Sequence, residues 1–229
     1  MKRINLIILF LIVVITSAKP QKCKVYIPGQ VGTEVELTQY DKKDKPTSII
    51  HQKLTNIKNS GDTTIFVAHQ VITNEKGGDP IENNFSFKCL GEDFYLDMDA
   101  FVDQKQMEAY KDMQVKITTS DIDIPATLAA GQALKDGFVK MEFIAGVIPI
   151  TFKVDITNRK VEGFETLTTP AGSFECIKIS QDSKIQSGFV NTIVHSIYWY
   201  SENVGTVKCE NYSQDKISSY MLLTKITKP

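Results

Sequence analysis

Between Ile150 and Thr157 the chain alternates without a fault, with Ile150, Phe152, Val154 and Ile156 on one side and Thr151, Lys153, Asp155 and Thr157 on the other. A period of two sends successive side chains to opposite faces of a pleated strand, so this segment reads as a strand with one dry face and one wet face. Shorter alternating runs recur at roughly ten-residue spacing, the signature of an antiparallel all-β chain. Ile65, Val67 and Val71 mark one, with His69 on the same face; Ile193, His195, Ile197 and Trp199 share a face in another; Tyr220, Leu222 and Ile226 do so near the C-terminus. Turn-forming residues separate the runs at Asp41 to Pro46, Asn59 to Asp62, Glu75 to Pro80, Asn158 to Lys160 and Pro170 to Gly172, each short enough for a hairpin. The expectation is a curved antiparallel meander.

One segment breaks the pattern. From Ala100 to Met113 the residues Val102, Gln106, Ala109, Tyr110 and Met113 fall on one stripe at helical spacing, with Asp99 as N-cap and Asp103 in the first turn. One short helix is therefore expected. The tract from Ser120 to Gly137 has no sustained period and is expected to cross between halves of the sheet. No shift of composition divides the chain, so residues 19–229 read as a single antiparallel β domain, long enough to enclose its own core.

The first eighteen residues read differently. Lys2 and Arg3 precede an apolar run from Leu6 to Ile15 that ends in Thr16, Ser17 and Ala18. Such a run is short for a membrane span of about 20 residues, and the small residues suit a cleavage site before Lys19, so residues 1–18 are expected to be a signal peptide. Lys22 stands before Cys23 where a lipoprotein signal needs a small residue, so no lipidated N-terminus is expected. Export implies an oxidising compartment, in which Cys23, Cys89, Cys176 and Cys209 are candidates for two structural disulfides. One disulfide with two buried thiols is the alternative. Three connectivities are open, and spacing does not choose among them.

Several functions are disfavoured. The 26 basic and 27 acidic residues nearly cancel, and Arg159 is the sole arginine beyond the signal region, too few guanidinium forks for a phosphate-reading surface. No nucleic-acid partner is expected. Zinc has no CxxC pair or histidine at ligand spacing. There is no Gly-x-Ser-x-Gly elbow or cysteine-protease signature, and the three histidines, His51, His69 and His195, all lie within expected strands. His69 and His195, on apolar faces, are the better candidates for chemistry, but no catalytic, cofactor-binding or metal residue is assigned. Asp97, Asp99 and Asp103 lack the turn glycine and bidentate glutamate of a calcium loop. Asp121 and Asp123 alternate with Ile122 and Ile124 as on a solvated strand edge, and Gly77, Gly78 and Gly91 are turn residues without a phosphate-cradle pattern.

Phe138, Met141, Phe143, Ile148, Ile150, Phe152, Val154 and Ile156 crowd one hairpin. They read either as plain core or as the wall of a partly open apolar groove able to hold an acyl chain. The candidate groove residues are Phe143, Phe152, Val154 and Trp199, the last placed in the core beside Ile193 and Ile197.

The stretch "ITNRKVEGFETLTTPAGSFECIKIS" from Ile156 to Ser180 and "WYSENVGTVKCENY" from Trp199 to Tyr212, supported by "GTEVELTQYDKKDKP" and "KCLGEDFYLDMDAFVDQKQMEAYKDM", resemble the TapB-like group of exported Gram-negative proteins, related to a broader domain of unknown function. The distinguishing marks are Thr169 to Cys176 and Trp199 to Val207; Cys209 departs from the small polar residue expected there. The resemblance implies a half-barrel similar to lipoprotein carriers or lipocalins, in the periplasm or associated with the outer membrane, and it brings no catalytic residues. The expected function is that of a non-enzymatic envelope protein without a cofactor, binding an apolar small molecule or lipid or an envelope protein partner. The alternative is a structural or adhesive module with a filled core.

Overall fold

The computed structural model describes residues 23–98, 115–145 and 148–229. The proposed signal peptide and the helix expected over Ala100 to Met113 lie outside the described residues. Thirteen strands are present: β1 (Glu34–Asp41), β2 (Pro46–Ser60), β3 (Thr63–Asn74), β4 (Ile81–Leu90), β5 (Asp93–Leu96), β6 (Lys116–Ser120), β7 (Ile122–Ile124), β8 (Gly137–Ala145), β9 (Ile148–Thr169), β10 (Gly172–Ser187), β11 (Val190–Ser201), β12 (Gly205–Ser213) and β13 (Lys216–Thr227). All pair antiparallel in one sheet, ordered β6-β8-β9-β10-β11-β12-β13-β1-β2-β3-β4-β5-β7.

The first and last strands of that order, β6 and β7, are consecutive in the chain and separated only by Asp121. One short run of backbone therefore bonds to β8 through its first half and to β5 through its second, and the sheet curls into a nearly closed barrel. Closure removes the exposed edges that would otherwise template aggregation. Asp121 is held at the exchange point, where its carboxylate accepts the Met98 N–H at 3.1 Å and meets the Lys88 ammonium at 2.5 Å. Gly137 lies against the same point. A Cβ there would meet the Ser120 carbonyl oxygen at 2.6 Å and also strike the Ile122 side chain. β8 thus begins at a residue without a side chain because its backbone must pass the seam closely.

Below Gly137 the role of β8 passes to residues 131–134, which bond to β9 through Gly131 N to Val161 O, Val161 N to Gln132 O and Leu134 N to Arg159 O. Arg159 is buried at this handover. Its guanidinium donates to the Lys135 carbonyl at 2.7 Å and stands 3.7 Å from Asp123. Asn158 does not end a strand as its turn-like sequence suggests. It takes a left-handed φ of 55° inside β9 and forms a bulge against β10, with its amide donating to Asp182.

The face that carries the apolar spacing is the inner one in β9 and the outer one in β3 and β11. In β8 and β9, Phe143 opposes Ile150, Met141 opposes Phe152 and Val139 opposes Val154. This face packs with Met98, Ile122 and Ile156 in the interior. In β3 the buried residues are Phe66 and Ala68, so Ile65, Val67, His69 and Val71 face outward. In β11 the interior takes Tyr198 and Tyr200, which leaves Ile193, His195, Ile197 and Trp199 on the other face. Barrel strands carry apolar residues on both faces here because outer patches are covered by neighbouring hairpins, so a count of apolar residues cannot distinguish inside from outside.

The seam sets the first prediction. Gly137→Ala should lower stability by about 1–3 kcal/mol through overpacking at the crossing, seen as a lower midpoint in urea with an unchanged slope. A midpoint equal to that of the parent protein would show that the seam tolerates a side chain.

Candidate functional site

The lumen of the barrel contains a cavity of about 230 Å³. One wall is apolar and aromatic, formed by Phe85, Phe87, Phe94, Leu96, Ile122 and Ile156, and the others bring Gln52, Gln70, Gln181, Tyr198, Tyr200 and Thr206. Phe87 stacks on Phe94, and Tyr198 on Tyr200. Among the described residues the lining holds a single carboxylate, Asp97, and no basic side chain.

A polar ladder continues from Gln181 around the barrel. Gln181 pairs with Ser196, Ser196 with Asn211 and Asn211 with Ser219, so all four share the lumen face. Ser196 Oγ donates to Asn211 Oδ1 at 2.8 Å, and Asn211 Nδ2 donates to Ser219 Oγ at 3.1 Å. The cavity lining is therefore mixed, with Phe85, Phe87 and Phe94 beside Gln52, Gln70 and Gln181, and the ladder extends from Gln181 away from it. Such a lining suits a molecule that has one apolar end and one polar end.

The N-terminal segment, residues 23–33, closes one end of this lumen. Tyr26 and Ile27 are buried among Leu54, Phe66, Phe94 and Ile179. The segment is fastened where Val25 O accepts the Asn203 N–H at 2.7 Å, where Gly32 and Leu54 exchange bonds with Leu54 and Thr33, and by the Cys23–Cys89 disulfide. Gly205, with a φ of +105°, leaves room for the segment to pass: a Cβ there would lie 3.4 Å from Tyr26 O. Two wider grooves of about 510 and 690 Å³ flank the segment and share Glu202.

Comparison with known proteins agrees with this architecture. Residues 30–223 match the DUF3108-like family model. The chain belongs to the DUF3108-like family. Two solved structures share the fold: a candidate exported protein with a YmcC-like fold from Bacteroides fragilis, 21% identical with a TM-score of 0.71, and a candidate lipoprotein from Parabacteroides distasonis, 24% identical with a TM-score of 0.72. Each comparison covers 90% of this chain and 100% of the other. No curated protein matches the chain.

In this DUF3108-like barrel, Phe143, Phe152 and Val154 lie together on the lumen face near the end opposite the N-terminal segment. Trp199 does not join them. It is only 4% exposed, yet it faces away from the lumen, since its neighbours Tyr198 and Tyr200 line the cavity. The ring is buried between two lysines, Lys178 and Lys208, each with its ammonium 4.9 Å from the ring centroid, while its N–H donates to Glu165 at 2.6 Å. These cation–π contacts add to the packing of the ring in a second apolar cluster with Val35, Leu37, Cys176, Val207 and Leu223. The three histidines are also outward, and each stands beside an acid or amide: His51 with Glu34, His69 with Asn84 and His195 with Asp182. Among the described residues no cluster of three histidine, cysteine or carboxylate side chains is placed to hold a metal ion.

The cysteines form one disulfide, and Cys176 and Cys209 remain buried thiols. The second bridge is excluded by register. β11 runs between β10 and β12, so the two cysteines stand about two strand spacings, roughly 10 Å, apart, on opposite faces and beyond disulfide reach. Burial, followed by Glu165, pushes the Cys176 thiol up to about 11, and burial pushes that of Cys209 up to about 12. The lumen glutamines and the Ser196–Asn211–Ser219 ladder were missed by sequence reasoning, which searched for apolar alternation. Their signal is a polar residue at every second position where an aromatic strand would be expected to be dry.

Two outcomes follow. Oxidised protein should expose two titratable thiols when denatured without reductant and none when native, because both thiols are buried and neutral. Loss of the Cys23–Cys89 bond, which spans 66 residues, should cost about 4 kcal/mol in the chain-entropy model, read from the urea midpoint of Cys89→Ser. Separately, burial and Glu202 raise the Tyr26 phenol to about 12, and burial raises Tyr198 and Tyr200. A raised phenol favours the fold fully below the unfolded value of 10, and that contribution is lost as pH climbs through the folded value. The melting temperature should therefore fall between about pH 10 and about pH 12, and less steeply in Tyr26→Phe.

Proposed function

We propose that this chain is an exported, non-enzymatic cell-envelope protein that holds an apolar or lipid-like ligand in its lumen, in the periplasm or at the outer membrane. The observation that carries the reading is the mixed cavity lining, in which Phe85, Phe87 and Phe94 stand with Gln52, Gln70 and Gln181. An amphiphile uses both kinds of lining, with its apolar end against Phe87 and Phe94 and its polar end toward Gln52, Gln70 and Gln181. The cavity is below the roughly 300–1,000 Å³ of a drug-sized site, which favours a short acyl chain or the end of a longer one. Export is supported by the apolar run after Lys2 and Arg3 and by the descriptions of the two structural relatives. The outward, partnered histidines and high-pKa thiols give no support to nucleophilic catalysis.

Titration with decanol, followed through the tyrosine fluorescence of Tyr198 and Tyr200, tests the reading. Saturable binding is expected, with Trp199 emission unchanged because its ring faces outward. Gln70→Trp, which places an indole in the lumen, should abolish binding while the β-sheet circular dichroism stays that of the parent protein. Unaltered binding in folded Gln70→Trp, or no saturable binding in the parent, would favour the structural module with a filled core.

A further inference from the structure

The end of the barrel opposite the N-terminal segment carries an apolar lip. In an antiparallel meander alternate strand ends emerge together, so the end of β8, the β10–β11 and β12–β13 turns and the start of β6 lie at the same end. Across the five adjacent strands from β6 to β11 in the sheet order, this end exposes Phe189 (110%), Ile193 (65%), Val190 (58%), Ile144 (56%) and Ile117 (38%). Gly188, with a φ of 57°, turns the two-residue β10–β11 loop so that Phe189 stands at its tip. A fully exposed phenylalanine beside three half-exposed aliphatic residues is more apolar surface than a solvated turn carries without use.

The surroundings identify the occupant. Lys116, Lys140, Lys153 and Lys184 stand on these strands against Glu142 and Asp155. Lys140 is paired with Glu142 and Lys153 with Asp155, each at 2.7 Å, which leaves a net positive charge beside the apolar tip; Lys184 lies directly opposite Ile193. A protruding aromatic tip ringed by lysine fits the interface of an anionic bilayer, where the ring enters the headgroup region and the ammonium groups meet phosphate. The apolar surface also continues inward. Ile117 opposes Met141, and Met141 opposes Phe152 on the lumen face; Phe152 and Ile185 pack on Val154, Ile156 and Ile122, and the last two line the cavity. We infer that this lip docks on an anionic membrane surface and sets the lumen mouth against the lipid, so that an apolar ligand crosses from bilayer to cavity without passing through water. The route of entry rests on the proposed lumen binding, whereas docking does not.

Co-sedimentation with vesicles of phosphatidylglycerol and phosphatidylethanolamine, set against phosphatidylcholine alone, tests docking. The parent protein should bind the anionic vesicles more tightly, and less so at high salt. The double variant Phe189→Ser with Ile193→Ser should weaken binding about tenfold or more, while Phe164→Ser, an exposed phenylalanine at the other end, should leave it unchanged. Gln70→Trp should keep vesicle binding even though it loses decanol, which separates failure of the lip from failure of the lumen. Equal binding of the parent and the double variant, or no vesicle binding by the parent, would overturn the inference. Self-association of the parent that the double variant abolishes, without vesicle binding, would overturn it in favour of contact between copies.

Discussion

The barrel depends on the change of partner at Asp121. Nine residues, Lys116 to Ile124, supply hydrogen bonds to β8 and then to β5, so one segment satisfies both free edges of the sheet. The exchange requires the backbone of β8 to approach closely, which Gly137 permits, and requires the strand to be held sideways, which the Asp121 contacts with Lys88 and Met98 accomplish. Without closure Phe87, Phe94 and Gln181 would face water on an open sheet. With it they line one cavity.

Closure brings its own costs. Where β8 turns away from β9, the handover to residues 131–134 buries Arg159 and Asp123 at 3.7 Å, and the Arg159 Nε and the Asp123 Oδ1 have no hydrogen-bond partner. Burial lowers the Arg159 pKa for the same reason. A buried pair of this kind adds little net stability; its role here is to fill the wedge where strand pairing stops. In the same cluster as Leu134 and Val161, the N-terminal segment does comparable filling with Tyr26 and Ile27, fixed by the Cys23–Cys89 crosslink. The two ends of the lumen consequently differ, one closed by a crosslinked segment and one edged by Ile117, Phe152 and Phe189.

Legibility along the chain followed the strength of local signals. The hairpin turns at Pro170, Gly61 and the Asp41 to Pro46 stretch were readable because glycine, proline and aspartate act within a few residues. The β12–β13 turn was not, because Gln214 and Asp215 take φ values of 51° and 62° without the Asn-Gly signal that such a loop normally carries. Asn158 misled in the opposite direction, since the left-handed residue of a bulge looks like that of a turn. Phe152 and Val154 were legible as inward-facing because β9 has one dry face, and Phe143 follows from its pairing with Ile150, but none of the three lines the cavity. Trp199 is buried in a core as expected, but in the cluster with Val35, Leu37, Cys176, Val207 and Leu223 and not in the cavity lining, because its neighbours Tyr198 and Tyr200 take the cavity face of the strand.

The sequence by itself determined that the chain would form an antiparallel all-β fold, since a period of two acts between adjacent residues and needs no distant partner. It also determined the absence of a recognisable catalytic motif and the near balance of charge. Only the tertiary structure decided which face of each strand is inside, which cysteines can meet and where the sheet closes. Those properties depend on register between strands far apart in the chain: Thr38 beside Leu222, Phe94 beside Ile124, Ser196 beside Asn211. A shift of one residue in any of those pairings would exchange inside for outside, and no local stretch of sequence contains that information.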